Sequence, residues 1–205
     1  MEKSLGITAN EAKNGALLAY IAKNIPHTNL RKLLKIVYLI DEKFMEVRGF
    51  PFTWFDYYAW AKGPVAPEVY DIKYGAFSKY VTCAKNSDGK WIVDSVLPHK
   101  YHVLKQMDVC SQCEMDIINS IVFAYENATA DELTELTHRE NSLWSQIVRE
   151  NHIEFKYGKS DIQIPLTMLI AGDEEKEETY EDARWNMGFQ AALNRHKNDS
   201  NVPTT

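Results

Sequence analysis

Between residues 28 and 74 an apolar helix pattern, an aromatic run and a proline-bearing loop follow one another without a spacer, so these three elements must pack as one unit. The segment reads TNLRKLLKIVYLIDEKFMEVRGFPFTWFDYYAWAKGPVAPEVYDIKY. Leu30, Leu33, Leu34, Val37, Ile40 and Phe44 recur at spacings of three and four, which places them on one stripe of a helix that has to be buried. Thr28 stands where a hydroxyl would accept a bond from an orphan backbone N–H of the first turn. Arg48-Gly49 stands where the helix should close, because glycine takes the left-handed conformation and arginine suits the negative end of the dipole. Thr53-Trp54-Phe55-Asp56-Tyr57-Tyr58-Ala59-Trp60 is aromatic, β-favouring and short between breakers, and predicts a strand. In Lys62-Gly63-Pro64-Val65-Ala66-Pro67, glycine admits positive φ and two prolines fix φ, so the loop is expected to be stiff. Pro67 suits the first position of a short helix over 68–74.

With 205 residues, 45% of them hydrophobic, the chain can bury a substantial core. The expected fold is α+β: a predominantly helical single domain with a small antiparallel sheet and an additional C-terminal helix. A first helix from Thr8 or Asn10 to Asn24, with Ala12, Leu17, Leu18, Tyr20 and Ile21 inward, should cross the 30–45 helix. Its apolar stretch over 15–22 is flanked by Lys13 and Lys23 and reads as an amphipathic helix, not a secretory signal. No run approaches the roughly 20 apolar residues of a membrane span. Three cysteines without a scaffold spacing suit a reducing compartment, and a cytoplasmic location is expected. Asp88-Gly89, between Tyr80-Val81-Thr82-Cys83 and Trp91-Ile92-Val93, predicts a hairpin. That hairpin and the aromatic strand are expected to make one three-stranded sheet.

Further on, 115–126 reads as a helix with Ile117, Ile118, Ile121, Val122 and Tyr125 inward. A short helix begins at Thr129 or Ala130, and Leu133, Leu136, Trp144, Ile147 and Val148 form a stripe interrupted by a turn over 137–141. Pro165 makes 161–169 at least partly irregular. Residues 173–197 run from acidic to basic, as a dipole-matched helix does, but carry no clean apolar stripe. This helix is expected to dock loosely or to meet a partner. The division expected is therefore a domain over 1–172, a helix over 173–197 and a disordered tail over 198–205.

The net charge of −6 hides an asymmetry: residues 1–105 carry 15 Lys+Arg against 10 Asp+Glu, and residues 106–205 carry 8 against 19. Neither half holds the dense basic stripe of a nucleic-acid binder, so duplex binding is disfavoured. The acidic half could guide encounter with a basic partner, although a solvated surface explains it as well.

Two spacings invite a metal: His99 with His102, and Cys110 with Cys113, are pairs of which each could bite one zinc ion. The short separation of the pairs, and the expected place of the second at the start of a buried helix, favour core thiols and exposed histidines instead, with no metal. Cys83 has no neighbour that would activate it. Thr137-His138-Arg139-Glu140 mixes acid–base groups in one turn, yet such side chains also satisfy helix ends, and Thr137 or His138 could reach the glycine loop. No nucleophile or phosphate-cradling loop accompanies them. Around the loop itself, Trp60, Lys62, Val65 and Tyr70 edge a rigid surface suited to recognition.

The order of these pieces resembles the Panacea domain of SocA-like bacterial antitoxins, found also in phage-associated proteins. The resemblance spans roughly residues 8–170. It rests on Trp60, Gly63, Pro64, Val65, Pro67 and Tyr70, followed by Leu136, Thr137, His138 and Trp144; Lys62 stands where the family pattern has a tyrosine. It implies neutralisation of a cognate toxin encoded by an adjacent gene, delivery of that toxin to a bacterial AAA+ protease, no cofactor and no catalysis. The matched surface or its scaffold would be Trp60, Lys62, Gly63, Pro64, Val65, Pro67, Tyr70, Thr137, His138 and Trp144. The toxin contact could also lie elsewhere, for instance on the last helix. Two other readings stay open: a DNA-binding regulator of its own operon using Asn29, Arg31, Lys32 and Lys35, and a small enzyme using His138.

Overall fold

The computed structural model describes residues 3–25, 28–97 and 109–199. Helix α1, Leu5–Asn24, is buried on every side over residues 14–22, where the sequence is apolar around the whole helix. The amphipathic reading of this stretch is corrected here: the helix over 30–48, the hairpin over 81–95 and the C-terminal helix all pack on α1, and Tyr20 O–H donates to Asn119 of the helix over 112–124. Asn10 breaks the helix internally, with φ −155° and ψ 74°.

Helix α2, Leu30–Arg48, is capped by Asn29, whose side-chain oxygen accepts from Lys32 N–H at 3.0 Å. Thr28, the expected cap, instead donates its hydroxyl back to the Ile25 carbonyl at 2.6 Å. The helix closes as expected at Gly49, with φ 79°. Far more than one stripe of it is buried, because α2 lies between the bend described below, α4 and α5.

Only the end of the aromatic run is a strand. Strand β1, Tyr58–Trp60, pairs antiparallel with β2, Gly63–Val65, in the register Tyr58 to Val65 and Trp60 to Gly63. Its other edge is taken by residues 162–164: Ala59 N–H donates to Ile162 O at 2.9 Å, and Ile164 N–H donates to Tyr57 O at 2.7 Å. With both edges occupied, β1 has no place for the hairpin. The hairpin, β3 Val81–Lys85 with β4 Trp91–Ser95, therefore forms a second two-stranded sheet. It leans on the start of α2, where Val93 N–H donates to Thr28 O at 2.8 Å. Residues 53–57 are held by a side chain instead of a ladder. The Asp41 carboxylate accepts from Thr53 N–H at 2.8 Å, from the Thr53 hydroxyl, and from Tyr57 O–H at 2.7 Å.

Pro67 opens α3, Pro67–Tyr70, which tightens into a 3-10 turn over Asp71–Tyr74. Helix α4, Gln112–Ala124, and helix α5, Ala130–Thr137, each start with a capping box, Ser111 with Glu114 and Thr129 with Glu132. Helix α6 is Leu143–Glu150. The expected helix over 161–169 shrinks to a 3-10 turn, Leu166–Leu169, just after Pro165. Helix α7, Glu174–Asp199, lies across α1. Ala191 is fully buried there, Tyr180 sits 5.5 Å from Trp54, and Asn194 Nδ2 donates to Ala9 O at 2.7 Å. That bond serves a carbonyl released by the break at Asn10. The far side of α7 leaves Trp185 and Phe189 exposed and stacked on each other. The α+β, helix-dominated class thus stands, with two small sheets in place of one.

Candidate functional site

The turn between β1 and β2 drives Gly63 into the molecule with φ +99°. A Cβ at this position would stand 2.3 Å from Lys35 Nζ, 2.8 Å from Thr137 Oγ1 and 3.1 Å from His138 Nε2. Three elements distant in sequence, α2, the β1–β2 bend and the end of α5, therefore meet at a point that only glycine leaves open. Gly63→Ala is expected to lower stability by roughly 3 kcal/mol, through the positive φ and the crowding together, as a drop in the urea midpoint would register.

Each of the three polar groups has a distinct state. Lys35 is 1% exposed, and its Nζ donates to the Pro64 carbonyl at 3.0 Å. Burial, reinforced by the nearby Arg31 charge, lowers its pKa to about 7. The Thr137 hydroxyl is spent on its own helix, against Leu133 O at 3.1 Å and Thr134 O at 3.0 Å. The His138 ring lies flat on Trp144, with centroids 3.6 Å apart and planes 4° from parallel. Its Nε2 is buried without a hydrogen-bond partner among the described residues. Burial, then Lys35 and Lys62, bring its pKa down to about 4, so the imidazole is neutral near pH 7.

Trp144 ties this packing to the bend. Its Nε1 donates to Trp60 O at 2.9 Å, and its ring is also parallel to Phe155 at 5.9 Å. Trp60 meets Tyr70 edge-on at 4.9 Å, and Lys159 Nζ sits 4.6 Å from the Trp60 centroid. Trp60, Gly63, Pro64, Thr137, His138 and Trp144 thus interlock. Lys62, Val65 and Tyr70 face a groove of about 840 Å³ in front of them, and Pro67 opens α3 beside it.

Sequence reasoning missed Lys35 as part of this packing. It appeared as an outward residue of a regulator helix, whereas its stem is buried and its amine lies under the bend. The other three residues in that reading each have a partner. Asn29 caps α2, Arg31 pairs with Asp131 at 2.7 Å, and Lys32 Nζ donates to Glu126 O at 2.6 Å.

The metal candidates His99 and His102 lie outside the described residues. Cys110 is half-buried, and burial with the Glu114 charge raises its thiol to about 12; Cys113 is exposed, not a core thiol. Among the described residues, no cluster of three or more His, Cys, Asp or Glu could hold a metal ion. Cys83, in β3, has its pKa raised by burial.

The structure is thus a helix-rich α+β domain with a stiff bend locked over a buried lysine. Residues 33–145, more than half of the chain, match the family described as antitoxin SocA-like, Panacea domain. The chain belongs to that family. The match runs from the first turn of α2 to the start of α6 and so contains the bend and both of its braces. Comparison with curated proteins and with solved structures finds no match. Among the described residues, no helix is long and apolar enough to cross a membrane.

Proposed function

We propose that this chain is a cytoplasmic antitoxin that neutralises a cognate protein toxin, the product of an adjacent gene, by binding it directly through the face around the β1–β2 bend. The observation that carries this reading is the family membership of the segment containing the bend. The geometry supports it: the bend is fixed from behind by Lys35, Thr137 and the His138–Trp144 stack, so little conformational entropy remains to be lost on docking. Lys62 is exposed at its tip, and Trp60 and Tyr70 stand beside it as aromatic contact area. Delivery of the bound toxin to an AAA+ protease follows from the family resemblance and is the finer part of the proposal. A non-enzymatic role is supported by the position of His138: its Nε2 is packed against Gly63, and the ring does not line the groove.

Co-expression is the test. The product of the adjacent gene should arrest growth alone, and this chain should restore growth and co-elute with that product after purification. Lys62→Glu, at an exposed position, should retain the parent circular dichroism while weakening rescue, with affinity down about tenfold or more. A neighbour that is harmless, or a toxin relieved without any physical complex, would refute the reading.

A further inference from the structure

The groove beside the bend has a charge composition unlike that of the chain. Its walls hold Arg31, Lys32, Lys35, Lys62, Lys90 and Lys159, six of the 23 Lys+Arg, and Asp131 alone of the 29 Asp+Glu. That carboxylate is already paired, 2.7 Å from Arg31. Lys62 and Lys90 have no ion-pair partner among the described residues. A protein of net charge −6 has therefore gathered a strong local excess of positive charge in one concavity.

Two further features narrow the ligand. Leu30, the first residue of α2, its cap Asn29, and Lys35, whose buried amine donates to Pro64 O, also line the groove. The remaining wall is aromatic: Trp60, Tyr70, Trp91 and Tyr157. Cations already sit over three of these rings, Lys159 4.6 Å from the Trp60 centroid, Lys73 3.7 Å from that of Tyr70 and Lys85 5.3 Å from that of Trp91. The volume of about 840 Å³ is that of a small-molecule cleft. Lysines select phosphate, and aromatic walls select a flat ring. An acidic peptide would use only the first of these features.

We infer that this groove binds a nucleoside di- or triphosphate, with its phosphates toward Lys62 and Lys90 and its base toward the aromatic wall. The site shares Trp60, Lys62 and Tyr70 with the face proposed for the toxin, but its test needs no toxin, and Lys90→Glu probes the groove away from those residues. The full chain is titrated with ATP and with GTP at about 150 mM salt, followed by calorimetry and by tryptophan fluorescence. Saturable binding is expected for at least one, weakened about tenfold or more by Lys62→Glu and by Lys90→Glu and unaffected by Lys79→Glu outside the groove. Adenosine, guanosine and inorganic tripolyphosphate should each bind about tenfold or more weakly than the better nucleotide, since each presents half of the ligand. No saturable binding up to about 1 mM nucleotide would overturn the inference. So would unchanged affinity in both groove variants, tripolyphosphate binding as well as the nucleotide, or tighter binding of a Glu-rich peptide or a short single-stranded oligonucleotide. Circular dichroism of the variants separates loss of a site from loss of fold.

Discussion

In urea at about pH 6, Lys35→Met is expected to be more stable than the parent chain, and by about pH 10 the order is expected to reverse. Lys35 is 1% exposed, and the hydrogen bond of its amine goes to a neutral carbonyl, Pro64 O, not to a carboxylate. Burial and the Arg31 charge lower its folded-state pKa from 10.5 to about 7. Below pH 7 the amine is charged in both states, and the folded state bears the desolvation of a buried ammonium. Between about pH 7 and the unfolded value the unfolded chain holds the additional proton, so stability rises with pH across that window. At 1.36 kcal/mol per pKa unit the full swing is on the order of 4 kcal/mol. Methionine keeps the length and apolar stem of lysine without the titration, so its stability should lack this slope. Once the amine is neutral, the parent retains its bond to Pro64 and the variant does not, a difference of about 1 kcal/mol. Urea midpoints across this range measure it, and parallel pH profiles would refute the buried-amine account. A second readout is His138: removing one of the two lysine charges that depress it should raise its pKa above about 4 in an NMR titration.

How far the sequence discloses this molecule can be judged from particular residues. Spacing alone located the buried stripe of α2, the closure at Gly49, the hairpin at Asp88-Gly89 and the start of α3 at Pro67, because each is set by local geometry. The hydrogen-bonding groups of the Thr137-His138 turn also suggested a reach to the glycine bend, and the two meet at Gly63. What stayed hidden depends on contacts between distant segments. The apolar run over 15–22 looked amphipathic because the segments that enclose it, Asn119 of α4 against Tyr20 among them, are distant in sequence. The aromatic run looked like one strand because its propensity is uniform, whereas its first half is folded over Asp41. The charge asymmetry between the halves was countable, but Lys159 joins five cations of the first half only through the folded position of the 157–159 turn. Lys35 could not be recognised as buried at all. A lysine two residues from Leu33 and two from Val37 has no helical signature that separates a capped core amine from a surface one.

Asp41→Ala is expected to destabilise the domain by about 4 kcal/mol, the range of a buried, multiply bonded carboxylate removed from its donors. Asp41 is fully buried and accepts from Thr53 N–H, the Thr53 hydroxyl and Tyr57 O–H. Alanine leaves these donors enclosed: Thr53 and Tyr57 are each 1% exposed, so water cannot replace the lost acceptor without opening the core. The damage should extend beyond the bonds themselves. Trp54, between the two anchored residues, is held at φ 57° and packs on Tyr180 of α7. Tyr57 leads directly into β1, and its carbonyl accepts from Ile164 N–H at 2.7 Å. Losing the carboxylate should therefore loosen α7 and the entry to the β1–β2 bend together. Asp41→Asn keeps one acceptor oxygen and should cost about half as much, because the two hydroxyls can turn to accept from the new amide. Urea denaturation gives the order parent, asparagine, alanine, and hydrogen exchange should report greater loss of protection in α7 than in α4. A midpoint for Asp41→Ala within about 1 kcal/mol of the parent, or loss of protection confined to α4, would show that the aromatic run is seated by packing alone and that the carboxylate is dispensable.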